Sequence, residues 1–485
     1  MVTNKKLFGN INSIHVFKLL QIKNKPKICN YESAKAHEKS LFQLNHGNYY
    51  AALLLRMTDI SHFAETLKVI KIISVLFFSI LTFSSCTFIA QTSEQNKVAV
   101  GADILLSEKF NLIKNKRVGI ITNHTALLNN GTHLVDTLFN RNDVEITALF
   151  GPEHGIRGNT ADGQSIKNGI DVKTGLKVFS LYGKNKQPTK EMLRNIDIMI
   201  FDIQDIGARF YTFISTMFYA IKSAAQNEIP ILILDRPNPI NGIDVQGPVL
   251  SKEFKSFVGI AEIPIRHGMT VGELAKFFNR VEILETRKTA KLTVIKMKNW
   301  QRNFYYDDCK IKWIKTSPNM PTLNTAIVYP GMCLLEGTNI SEGRGTKFPF
   351  LLIGSPFINS TEVIKKMHLL GLNGIELSPK IFIPKTIPHK AYKPKYENEK
   401  CNGIKLNVTN RKNFNPINFS VKLIYTFHKL YPKKFGFRNN WIDKLWGSSS
   451  LRKMIEENKT PNEIIKSWQF QLNKFKKERK QFLLY

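Results

Sequence analysis

The densest group of reactive side chains in this 485-residue chain stands in one turn, GPEHGIRG at 151–158, where Glu153, His154 and Arg157 follow an apolar run. A carboxylate at the end of a buried strand has surroundings that can raise its pKa, and a raised pKa suits a general acid. Glycoside cleavage uses such an acid, usually beside a second carboxylate. A turn glutamate paired with Arg157 is the plainer reading of the same residues. Later turns carry further candidates. Asp202, Asp205, Arg209 and Tyr211 lie in DIQDIGARFYT (202–212), Asn238 in DRPNP (235–239), and His267 opens HGMTVGELAKFF (267–278). Asn319 lies in SPNMPT (317–322), and Glu336 precedes the glycine-rich GTNISEGRGT (337–346), which holds Asn339, Glu342 and Arg344. Such a loop allows close backbone approach and offers N–H donors. His154, Asp202, Asp205 and His267 also form a candidate set for a divalent cation, though their spacing matches no familiar site.

The elements that must position these turns follow from hydropathy. From residue 98 onward apolar runs recur at 118–122 (VGIIT), 146–150, 178–181, 196–203 (IDIMIFDI) and 229–234 (IPILIL), with helical patterns at 132–140, 190–195 and 210–226. Continuous apolar strands alternating with helices predict an α/β fold with a Rossmann-like parallel sheet covered on both faces. Ligands sit outside the carboxyl ends of such strands. TNHT (122–125), GPEHGIRG, DIQDIGARFYT and DRPNP each follow a strand and so gather on one rim, although turns favour Asp, Asn, Gly and Pro on their own account. His124 reads as a satisfied rim histidine. Thr270 and Glu273 predict a capping box. The second half is less regular: TAIVYPGMCLLE (325–336) reads as a strand, and helices are expected at 416–429, 451–458 and 461–482, the last capped at Thr460. A catalytic domain at 98–265 and a smaller mixed α/β domain at 266–485 result.

Composition narrows the classes. The net charge of +32 comes from 70 Lys+Arg against 38 Asp+Glu, but the lysines are scattered and no basic–aromatic motif appears, so no nucleic-acid partner is expected. No G-x-G-x-x-G follows the first strand, and there is no nucleophile elbow, H-E-x-x-H or Walker loop, so neither a dinucleotide nor any other cofactor is expected. The five cysteines form no C-x-x-C. Cys86 stands apart, because Lys68 and Lys71 precede an apolar run at 72–83 that ends in Ser84, Ser85 and Cys86. A basic region, a short apolar stretch and small residues make an export signal, and the final Cys resembles the lipobox of bacterial lipoproteins. The run is short for a membrane span. The expectation is a leader at 1–66 (with Met57 an alternative start), a lipoprotein-type signal at 67–86 and a tether at 87–97. The protein would then be exported, facing the periplasm or the cell surface, and held to the membrane through Cys86.

GPEHGIRG, DIQDIGARFYT, DRPNP, HGMTVGELA, SPNMPT and YPGMCLLEGTNISEGRGT, in that order, closely resemble the NamZ/YbbC-like family of exo-β-N-acetylmuramidases, over the whole chain beyond the signal. The resemblance implies a Rossmann-like domain and a smaller α/β domain with the active site in the cleft between them. It also implies release of N-acetylmuramic acid from the non-reducing end of peptidoglycan-derived muropeptides or disaccharides, with Glu153 as the catalytic glutamate. The residues fit that substrate. Its lactyl carboxylate calls for a cation, and Arg157, Arg209 and Arg344 stand in the motifs. Tyr211 is expected to stack on the sugar. His154, Asn238, His267, Asn319, Glu336 and Asn339 complete the expected binding set. The second catalytic carboxylate stays open among Asp205, Glu336 and Glu342, and the substrate's acetamido group is an alternative nucleophile. A non-catalytic muropeptide-binding lipoprotein and a metal-dependent hydrolase are the competing readings.

Overall fold

The computed structural model describes residues 97–485 except 154, 159–167, 184 and 439, so His154, Cys86 and the export signal lie outside the described residues. The apolar runs become strands of one seven-stranded sheet. In chain order these are β1 (Arg117–Thr122), β2 (Glu145–Gly151), β3 (Gly169–Ile170), β4 (Lys177–Ser180), β5 (Ile198–Asp202) and β6 (Ile231–Leu234). A two-stranded ribbon, β7 (Gln246–Val249) with β8 (Pro264–Arg266), intervenes before β9 (Leu292–Ile295) completes the sheet. The spatial order is β3-β4-β2-β1-β5-β6-β9, and every pair is parallel except β3 with β4.

The strands are continuous apolar runs because both faces are covered. On one face Ile198, Ile200, Leu232 and Leu234 pack under helices α1 (Gly101–Glu108) and α2 (Leu134–Phe139). On the other, Met199, Phe201, Ile231 and Ile233 pack under α3 (Phe213–Asn227) and α4 (Val271–Phe278). Burying each such side chain contributes about 1.5–3 kcal/mol. The expected capping box closes the start of α4: Thr270 Oγ1 accepts from Glu273 N, and Glu273 Oε2 accepts from Thr270 N.

Three expectations are corrected. Residues 190–195 form turns and not a helix. β9 pairs with β6 in the main sheet, so that sheet runs past the boundary drawn at 265/266. The stretch read as a strand at 325–336 is mostly helix: after α5 (Val281–Leu284) the chain forms α6 (Leu323–Met332), followed by a 3-10 turn at Cys333–Gly337. Thr322 caps α6 by accepting from Thr325 N. Thr325 to Met332 are all buried, which hides the helical period behind a continuous apolar run. The close fit has a backbone cause. A Cβ on Gly331 would lie 2.0 Å from Pro416 O, so only glycine lets α6 touch the start of the helix beginning there.

The second half adds a three-stranded antiparallel sheet, with β12 (Asn402–Val408) between β10 (Leu352–Ser355) and β11 (Ile375–Pro379). Its helices are α7 (Ser360–Leu369), α8 (Pro416–Leu430), α9 (Trp441–Trp446), α10 (Ser450–Glu456), α11 (Pro461–Ser467) and α12 (Gln469–Glu478). The tail expected as one helix is broken at Trp468, although Thr460 caps its first part as predicted. Among the described residues no helix is long and apolar enough to cross a membrane.

Candidate active site

The parallel strands do bring the four motif clusters to one rim, and most of their polar groups turn inward. Arg236 forms a two-pronged pair with Asp202 (Nε to Oδ1 2.5 Å, Nη2 to Oδ2 2.9 Å), and both side chains are almost wholly buried. Thr125 donates to Asn123 Oδ1 and accepts from Gln204 N, while Thr122 donates to the Asp202 carbonyl. Asp235 accepts from Gly272 N, Thr270 Oγ1 and Tyr485 Oη. These side chains join strand ends to the helices beyond them.

Glu153 is the exception. It lies just past β2 and lines a cleft of about 830 Å³, whose walls come from both halves of the chain. Thr212, the residue before α3, donates to Glu153 Oε2 at 2.7 Å. Tyr211 lines the same wall, but its ring is held edge-on by Phe213 and Tyr329 and its hydroxyl donates to Thr316, so it forms a firm wall with little open face. Across the cleft stand Glu336 and Glu342, from the 3-10 turn and the glycine-rich loop. Arg344 Nη2 pairs with Glu336 at 2.8 Å, and Lys395 Nζ pairs with Glu342 at 3.0 Å. The two carboxyls are pushed apart. Burial raises Glu336 against the pull of Arg344, whereas for Glu342 burial is outweighed by Lys395 and Arg344 and its pKa falls. Glu342 therefore carries the charge and Glu336 takes up a proton first. Burial also pushes the Cys333 thiol well up, which removes it as a nucleophile.

Several expected site residues are placed elsewhere. Arg157 does not line this cleft; it is held by Asp171 (2.6 Å) and Asp136 (3.0 Å). Arg209 is fully buried, and its guanidinium donates to the carbonyls of Pro248, Ile263, Leu445 and Trp446. Asp205 is buried behind the rim, where Oδ2 accepts from Gly207 N and lies 3.9 Å from His267 Nε2. Burial lifts Asp205 to about 7 and lowers His267 to about 3. Asn238 spans Met269 O and Ile240 N. Asn339 is likewise structural, bonding Lys434 O and Gly436 N. In these cases the sequence displays a reactive type that the fold engages internally, although Asp205 Oδ1, Arg209 Nε and His267 Nε2 are buried without a hydrogen-bond partner. Asn319 does line the cleft and donates to Lys390 O.

Sequence reasoning missed the other cations. Lys186, Lys390, Lys393, Lys395, Arg438 and Lys444 join Arg344 on the lining, so among the described lining residues seven cations face three carboxylates. The excess gives the cleft a net positive lining. Apart from Lys444, which lies in α9, these residues stand in loops without a recognisable motif, so only their convergence in space reveals them.

Comparison with known proteins agrees with the geometry. Residues 118–324 match the family model for the N-terminal part of the exo-β-N-acetylmuramidase NamZ, and residues 327–485 match that for its C-terminal part. The peptidoglycan β-N-acetylmuramidase NamZ of Bacillus subtilis is 45% identical over 396 residues, which is 81% of this chain and 93% of that protein. Two crystal structures of DUF1343 family proteins from Bacteroides fragilis are similar. One has a TM-score of 0.74 at 30% identity and covers 81% of this chain and all of the other. The second has a TM-score of 0.66 at 37% identity and covers 80% of this chain and 99% of its own. With both halves matched in order and a relative of that identity spanning most of its length, the chain belongs to the NamZ family of exo-β-N-acetylmuramidases.

Proposed function

We propose that the protein is an exo-acting glycoside hydrolase that releases N-acetylmuramic acid from the non-reducing end of peptidoglycan fragments. One observation carries this reading: the motif glutamate Glu153 opens onto a cleft whose lining is rich in cations, and the sugar to be released is itself an anion. Glu153 is the proton donor to the departing glycosidic oxygen. Thr212 Oγ1 donates to Oε2 and so helps to orient the carboxyl in the cleft. As the bond breaks, positive charge grows at the anomeric carbon. Glu342, the ionised member of the facing pair, offsets that charge, while Glu336 and Arg344 hold the loop that bears it. Asp205 lies too deep behind the rim for this role.

The test is direct. Purified protein beginning after residue 86 is incubated with a disaccharide that ends in N-acetylmuramic acid, and the free sugar is measured. Release that vanishes in Glu153→Gln supports the reading. Tight binding without release would leave a muropeptide-binding protein instead. The same proposal extends to the N-terminus: the sequence at 68–86 supports export and lipidation at Cys86. Radiolabelled palmitate should enter the wild-type chain and not Cys86→Ser; equal labelling of both would remove the anchor from the proposal.

A further inference from the structure

The cleft's positive lining leaves open which cation reads the substrate's carboxylate, and the contacts already made narrow the choice. Arg344 is engaged by Glu336 and Glu342. Lys395 Nζ donates to Leu335 O, Ile340 O and Glu342. Lys390 Nζ donates to Thr346 O. Lys186 sits 5.0 Å from the centre of the Phe257 ring, and Lys393 lies 5.4 Å from that of Tyr392. Among the described residues no group engages the Arg438 guanidinium, yet the residue's backbone is firmly held.

Arg438 N donates to Gly337 O at 2.8 Å, and Trp441 N donates to Arg438 O at 2.9 Å. One residue earlier, Phe437 bridges Thr338, and Asn339 clamps Gly436 from both sides through its backbone N–H and its side-chain oxygen. The segment is thereby fastened to the turn that carries Glu336, with Trp441 on the cleft wall beside it. A guanidinium with unused donors on a fixed backbone is prepared for a two-pronged bond to a carboxylate. Lys444 also lines this wall, but a flexible, strongly hydrated ammonium has no such fork.

We infer that Arg438 binds the lactyl carboxylate of N-acetylmuramic acid and so sets the preference for that sugar over N-acetylglucosamine, an inference that rests on the proposed hydrolase activity.

The test compares two chromogenic substrates, the 4-nitrophenyl β-glycoside of N-acetylmuramic acid and its lactyl methylamide, with the purified full-length chain as wild type, Arg438→Met and Arg438→Lys. In Arg438→Met the ratio of kcat/KM for the acid to that for the amide should fall at least about tenfold, mainly through KM. Arg438→Lys, which keeps the charge without the fork, should fall between. An unchanged ratio in Arg438→Met, at an unchanged melting temperature, overturns the assignment, as does a collapse seen in Lys444→Met instead. Wild type that hydrolyses neither substrate overturns the hydrolase reading. Arg438 is then judged by the same ratio of affinities, measured calorimetrically for free N-acetylmuramic acid and its methylamide.

Discussion

Two polar regions of this molecule carry similar residues and do different work. At the strand ends, Asp202, Arg236, Asn123, Gln204 and Asp235 are bonded to one another or to backbone and are nearly inaccessible. Across the cleft, Glu336, Arg344, Glu342 and Lys395 are also bonded to one another, but they line a cavity and share it with cations in excess. The difference is in what their charges balance. The rim is closed on itself and serves the fold, whereas the cleft wall keeps positive charge for something that arrives.

Breaking either side should give a distinct signature. Glu153→Gln should reduce turnover by about 1,000-fold or more while the unfolding midpoint stays put, as measured by sugar release and by denaturant titration. Arg236→Met should do the reverse, because it strands the buried charge of Asp202. It should cost about 3–5 kcal/mol of stability, read by urea unfolding, with the protein that remains folded still turning over substrate.

Asp205 sharpens the rim side further. Burial holds its proton to about pH 7 in the fold, well above its ordinary value. The associated stabilisation is complete in acid below that ordinary value and is lost as the pH rises through about 7. Asp205→Asn should flatten that fall, by at most about 1.4 kcal/mol per pH unit. His267, lowered to about 3, acts oppositely: its share is present above its ordinary value near 6.5 and is lost as the pH falls toward 3. The smallest effect is expected at the junction of the two regions. Thr212→Val removes the bond to Glu153 and should lower kcat about tenfold with KM little changed, and Thr212→Ser should restore most of it.

The sheet was legible because β1, β2, β5 and β6 are continuous apolar runs punctuated by Gly, Pro and Asp, a pattern that double-sided burial enforces. α6 was misread for the same reason, since a helix buried all round loses its period. β9 escaped notice because only Ile295 of its four residues is buried, the others being exposed or partly buried at the sheet edge. The motif glutamate was legible as a turn residue after a strand. The carboxylate reader was not: Arg157 and Arg209 share its side-chain type, and only three-dimensional neighbours reveal that one answers to two aspartates and the other to four carbonyls.

Those four carbonyls have an evolutionary consequence. Arg209 stands in the stretch matched by the N-terminal family model, and two of its acceptors, Leu445 and Trp446, stand in the stretch matched by the C-terminal one. Arg479 crosses the other way to reach the carbonyls of Gly242 and Gly268. The two stretches are therefore poor units of exchange. Because every acceptor is a backbone carbonyl, a chimera that took one half from a distant relative would keep both arginine links only if the backbone at Gly242, Gly268, Leu445 and Trp446 held its place, so what the halves must share is the path of the chain at their seam.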